Sequence, residues 1–70
     1  MRSWDVEEFE VTYLHHTPQA VLVEYEGKEY WIPDKAISTD SEVYAGCSLS
    51  RGDKAKLICQ EWIAKEKGMI

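Results

Sequence analysis

Hydrophobic positions are patterned along most of this 70-residue chain, and the pattern is organised around the stretch from Ala20 to Pro33, two short apolar runs either side of a polar centre. The stretch A-V-L-V-E-Y-E-G-K-E-Y-W-I-P reads as two β-strands joined by a tight turn at Gly27. Val21, Val23, Tyr25, Tyr30, Trp31 and Ile32 are β-branched or aromatic, the types that fit a pleated surface. A two-residue turn at Glu26-Gly27 demands a positive φ at Glu26, which a side chain resists. A three-residue loop, Tyr25-Glu26-Gly27, confines the left-handed backbone to glycine and sets Glu24 opposite Lys28 rather than Glu29. The bulged loop is therefore the expectation. It places Ala20, Leu22, Tyr30 and Ile32 on one face, and Val21, Val23 and Trp31 on the other. Apolar groups on both faces predict a central hairpin, or one closed into a barrel.

A period-two pattern marks the flanks. Phe9, Val11 and Tyr13 alternate with Glu8, Glu10 and Thr12, a half-buried strand over about 7–14. Trp4 and Val6 share another phase, so a bulge near Glu7 is needed to bury all five. His15-His16-Thr17-Pro18 interrupts the pattern and forms the first connection. The hairpin strands span about 19–25 and 28–33. Pro33 to Ile37 forms one helical turn that tucks Ile37 onto the core. Val43, Ala45, Cys47 and Leu49 predict a fourth strand over about 42–49. After a turn at Ser50–Asp53, Ala55, Leu57 and Cys59 predict a fifth over about 54–59. A helix over about 60–67 closes the chain, with Glu61 and Lys65 in the favourable i, i+4 order. Gly68 stops it and Met69 folds back on Ala64. So short a helix needs a surface to dock on. The sum is a mainly β (α+β) domain: a small, strongly bent five-stranded antiparallel sheet or SH3-like half-open barrel with a C-terminal helix.

Composition narrows the function. A chain this short buries only about 60% of its unfolded surface, so its interior is small. There is no run of roughly 18 apolar residues to span a membrane and no signal-like hydrophobic region near the start. The expectation is a complete, soluble, cytoplasmic single domain with Cys47 and Cys59 as buried thiols rather than a disulfide. Net charge is −5, with ten acids and three bases in residues 1–50 against three acids and five bases in residues 51–70. That balance disfavours general binding to phosphate backbones, while the basic tail leaves room for a local contact.

No stretch carries a specific catalytic or phosphate motif. His15, His16, Cys47 and Cys59 equal a zinc ligand set in number. Adjacent histidines tend to point apart, however, and neither cysteine belongs to a C-x-x-C pair, so neither metal nor cofactor is expected. Arg51-Gly52-Asp53 spells an adhesion tripeptide but reads as ordinary turn chemistry. The carboxylates Glu7-Glu8 and Glu24, Glu26, Glu29 read as a solvated face rather than an acid–base pair. Such a row could also imitate a nucleic-acid backbone toward a basic groove. Eight aromatic residues exceed what a small core easily holds. Trp4, Tyr25, Trp31 and Tyr44 are candidate exposed rings for partner binding. Trp31 and Trp62 also suit packing on each other or on the core.

Ala20-Val21-Leu22-Val23-Glu24, Gly27, Tyr30-Trp31-Ile32-Pro33 and Glu61 to Ile70 together resemble a group of short phage and prophage proteins. Their shared frame runs A-hydrophobic-L-hydrophobic-acid, G, W-I-P-K-S, then W-hydrophobic-A-x-x-x-G-hydrophobic. Asp34-Lys35 replaces the usual K-S, and Cys59 or Gln60 stands where a proline often opens the last helix. The resemblance implies a small accessory protein set among replication, recombination or counter-defence functions rather than a chemistry.

The expected function is a non-enzymatic binding module. It docks on a protein partner concerned with nucleic-acid processing or host defence, through Trp4, Tyr25, Trp31, Tyr44, Glu24, Glu26 and Glu29. The alternative is a weak single-stranded nucleic-acid binder that stacks bases on rings such as Tyr30 and holds phosphates with Arg51, Lys54 and Lys56. An exposed strand edge would also suit a homodimer.

Overall fold

One strand joins the two halves of the sheet. The computed structural model describes residues 5–70, and in it β1 (Val6–Thr17) is followed by β2 (Ala20–Tyr25), β3 (Lys28–Pro33), a 3-10 turn (Asp34–Ala36), β4 (Lys54–Gln60) and helix α1 (Glu61–Lys67). The four strands form an antiparallel sheet in the order β3-β2-β1-β4. The first half of β1 pairs with β4, Val6 opposite Gln60 through Thr12 opposite Lys54. Its second half pairs with β2, from Thr12 opposite Glu24 to Thr17 opposite Ala20. The mainly β character and the C-terminal helix agree with the sequence pattern, but the sheet is open rather than closed into a barrel.

One face of the sheet holds the core. Phe9, Val11 and Tyr13 of β1, Val21 and Val23 of β2, Ile32 of β3, and Ala55, Leu57 and Cys59 of β4 are all buried. Ile63 and Ala64 of α1 join them, as do Ala36, Val43 and Cys47 from the segment between β3 and β4. That segment is where a fifth strand was expected over 42–49, and it runs irregularly instead. The alternation of Val43 and Cys47 reports burial, not a ladder. The Cys47 N–H donates to the Tyr44 carbonyl (3.1 Å), and Gly46 has a φ of 91°, so the chain turns where a strand would continue.

The irregular segment closes the outer edge of β4. The Ser38 N–H donates to the Ile58 carbonyl (2.8 Å), the Glu42 N–H donates to the Lys56 carbonyl (3.1 Å), and Ile37 bridges to Cys59. Side chains complete the row: the Ile58 N–H donates to Ser41 Oγ (3.0 Å) and the Lys56 N–H to Glu42 Oε1 (3.0 Å). Buried Ser41 also donates to the Val43 carbonyl (2.7 Å) and accepts from the Val43 N–H (3.2 Å).

The β2–β3 hairpin has the two-residue turn, not the bulged loop. Tyr25 faces Lys28, and Glu24 faces Glu29. Glu26 adopts a φ of 53° and Gly27 of 81°, the pair of positive angles of a type I′ turn. Burial decides the register. Only this pairing puts Val21, Val23 and Ile32 on the same face, each worth about 1.5–3 kcal/mol when buried. A strained Glu26, at about 1–2 kcal/mol, and a like-charge pair, at about 0.2–1 kcal/mol, are outweighed. The expected faces are corrected accordingly: Tyr30 joins the core side, while Leu22 and Trp31 share the outer face.

β1 is also longer than expected. His15, His16 and Thr17 belong to it, and the connection to β2 is only Pro18-Gln19. No register shift occurs near Glu7, and Val6 is 45% exposed. The bulge lies instead at Leu14, because Tyr13 and His15 oppose the adjacent residues Val23 and Leu22. Arg51 Nη1 donates to the Leu14 carbonyl (3.4 Å), so the arginine of the Arg51-Gly52-Asp53 turn caps the extra residue. The helix ends as its sequence implies. Gly68 is left-handed, its N–H reaches the Lys65 carbonyl, and the Met69 N–H reaches the Ala64 carbonyl (2.9 Å), a Schellman stop.

Ser41→Ala strips the buried N–H of Val43 and the part-buried N–H of Ile58 of their acceptor. It is expected to lower stability by about 1–3 kcal/mol, read as a lower denaturant midpoint. Glu26→Asn, which tolerates the left-handed turn position, is expected to raise the same midpoint, by up to about 1 kcal/mol.

Candidate functional site

Among the described residues nothing packs over the face of the sheet opposite the core, and the strand registers fix what it presents. Trp31, Leu22 and His15 form one row across β3, β2 and β1. The next row is Glu29, Glu24, Thr12 and Lys54, crossing all four strands. Beyond it Glu10 lies opposite Lys56, and Glu8 opposite Ile58. The Trp31 ring is 43% exposed and meets the His15 ring edge-on at 6.5 Å between centroids. The reading of Trp31 and Trp62 as mutually packed or core residues does not hold. Trp62 is 46% exposed on α1, where its Nε1–H donates to Gln60 Oε1.

Of the residues expected to bind a partner, the structure brings together Trp31, Glu24 and Glu29, with Glu26 at the adjoining turn. Tyr25 is removed from that group. It lies on the core side, half-buried, with its ring edge-to-face on Phe9 at 5.1 Å. Burial and the neighbouring Glu26 raise its phenol pKa. Tyr44 is 44% exposed but belongs elsewhere, on an open groove of about 300 Å³ lined by Asp34, Ile37, Ser38 and Thr39. Asp34 Oδ1 there accepts the Ala45 N–H (3.1 Å). Trp4 lies outside the described residues.

The residues of the nucleic-acid alternative are scattered. Tyr30 packs half-buried against the core rather than standing free as a stacking ring. Lys56 Nζ is 4.0 Å from Glu8 Oε1. Lys54 lines a shallow depression with Glu10, Glu24 and Glu26, and Arg51 reaches the Leu14 carbonyl. Lys56 and Arg51 therefore each face an acceptor of their own chain, while Lys54 stands among carboxylates without pairing to one within 4.0 Å among the described residues.

Of the four potential soft ligands, the two histidines do not point apart as expected: their rings lie 6.1 Å apart between centroids and nearly parallel, His15 edge-on to Trp31 and His16 with its Nδ1 bonded to the Tyr13 hydroxyl at 2.5 Å. Burial, with Cys47 nearby, raises the Tyr13 pKa. Cys47 and Cys59 are both buried free thiols. Burial and the adjacent Glu7 push the Cys59 thiol up to about 11. Sequence reasoning missed the row formed by Leu22 and His15 beside Trp31. The signal was the parity of Val21, Val23 and Ile32, which fixes the hairpin register once all three are required to be buried.

Two outcomes follow from these environments. Glu29→Lys replaces a like-charge cross-strand pair with an opposite one and is expected to stabilise the fold by about 0.2–1 kcal/mol, with the gain shrinking in high salt when followed by thermal melts. Cys59 ionises near 9.0 when unfolded and near 11 when folded, so the folded state disfavours its thiolate. Its contribution is complete below about pH 9 and is lost as pH rises toward 11. A Cys59→Ala variant, whose melting is compared with the parent across that range, is expected to show the smaller alkaline loss. No protein-family model, curated protein or solved structure matches this chain.

Proposed function

We propose that this chain is a non-enzymatic accessory module that docks on a protein partner through the outer side of β2 and β3. The observation that carries the reading is the exposed Trp31 ring set beside Glu24 and Glu29 on a stiff sheet. A large ring on rigid backbone makes a good anchor, since little conformational freedom is lost on contact. The neighbouring carboxylates steer a positively charged partner and exclude acidic ones. Among the described residues no helix is long and apolar enough to cross a membrane. The resemblance to short phage and prophage proteins supports phage descent, a cytoplasmic setting and a partner from nucleic-acid processing or host defence. Single-stranded nucleic-acid binding is the weaker alternative, because Lys56 and Arg51 already face internal acceptors and Lys54 is set among the carboxylates of Glu10, Glu24 and Glu26.

The test is affinity capture from host lysate with the native chain and with Trp31→Ala. The expected result is one protein retained by the native chain and reduced about tenfold or more by the substitution, a loss typical of a central anchor. Capture of nothing above background, or equal capture by both, would count against docking at this face. Added oligo-dT at low salt is expected to leave tryptophan fluorescence unchanged.

A further inference from the structure

The two edges of the sheet are finished differently, and the difference points to an occupant. β4's outer backbone groups are met by Ser38, Ser41 and Glu42. On β3, the hydrogen bond from the Asp34 N–H to the Gln19 carbonyl (2.8 Å) fixes the phase of the ladder. Counting by twos, Val21–Ile32, Val23–Tyr30 and Tyr25–Lys28 exchange hydrogen bonds, whereas Leu22–Trp31 and Glu24–Glu29 do not. Residues of the second kind turn their N–H and C=O away from β2. Glu29 and Trp31 therefore present a donor–acceptor row along the outer edge. Pro33, next in phase, adds a carbonyl and has no N–H to lose, as suits an edge position.

The side chains above that row are unbalanced. Glu29 and Glu24 form a directly opposed like-charge pair. Among the described residues the ion pairs are Lys56–Glu8 and Lys65–Glu61, so neither Glu24 nor Glu29 has a cation within 4.0 Å. Two positions along, Trp31 leaves an apolar surface exposed on the same face.

We infer that β3 takes up an extended basic segment of the partner as a fifth strand. One arginine or lysine lies across from Glu29, and an apolar residue two positions away lies across from Trp31. The added backbone satisfies the bare row, and the cation relieves the Glu24–Glu29 repulsion, so affinity and sequence preference arise from separate parts of the edge. A second copy of this chain is the poorer occupant, since it brings another −5 of net charge to an acidic edge. This inference rests on the docking reading above and specifies how docking occurs.

The test uses the full chain, labelled with nitrogen-15, and two nonapeptides: Thr-Ile-Thr-Arg-Thr-Ile-Thr-Arg-Thr and the same sequence with glutamate for arginine. The arginine peptide is expected to bind about tenfold or more tightly than the glutamate peptide, more weakly at high salt, and to slow hydrogen exchange at the amides of Glu29 and Trp31. Glu29→Lys, which should fold at least as well as the parent, is expected to reverse the preference. Equal binding of both peptides, or protection confined to β4 or α1, would overturn the inference. So would a stable dimer in sedimentation whose Glu29 and Trp31 amides are already protected without peptide. If neither peptide binds while Trp31→Ala still abolishes capture from lysate, strand addition fails and docking stands. If capture also recovers nothing, both fail.

Discussion

A four-stranded sheet has two edges, and residues 37–43 of this chain close one of them. The Ser41 hydroxyl is the centre of that closure, serving Val43 on its own segment and Ile58 on β4. A buried N–H without an acceptor is a large penalty for a domain of this size, whose total stability is on the order of 5–10 kcal/mol. With β4 sealed, the segment between β3 and β4 is held down over the core, and Val43 and Cys47 can fill it without forming a strand. The asymmetry follows: one edge is closed from within, and among the described residues the other is open.

The elements set by local pattern were readable from the sequence. The helix, its Glu61–Lys65 pair at 3.8 Å and its glycine stop depend on spacings of three to seven residues, and they stand as read. The hairpin was legible as a hairpin, but its register was not. Local rules weighed Glu26's backbone and the Glu24–Glu29 repulsion, both small, against a burial gain that appears only when β1 and the rest of the core are in place. The 42–49 segment misled for the opposite reason. Its alternation is genuine burial, but the Ala45 N–H bonds to Asp34 Oδ1 instead of a ladder, a long-range choice with no sequence signature. The five-strand count and the barrel both rested on that segment.

The candidate surface was half legible. Trp31 and the carboxylates could be named from residue type alone, but which of them share a face depends on the register. The type I′ turn parts Trp31 from Val21 and Val23, sets it on the outer face with Leu22, and aligns Glu24 with Glu29. The lysines that a charge count assigns to a phosphate-binding role sit instead among carboxylates on the same outer face, Lys54 in the row of Thr12, Glu24 and Glu29, and Lys56 opposite Glu10 and 4.0 Å from Glu8.

The extra residue at Leu14 has a consequence for how this chain can vary. In an unbroken strand, positions three apart lie on opposite faces, yet the Tyr13 hydroxyl and His16 Nδ1 meet on the same one. That contact is a matter of parity: Leu14 is the odd member that brings the two rings into step. Loss of one residue at this spot would leave the facing of everything downstream intact. Gain of one more, if the strand absorbed it as a regular position, would invert the facing of His15 and His16. Length changes here are thus unequal in kind, with shortening tolerated by the alternation and lengthening opposed by it.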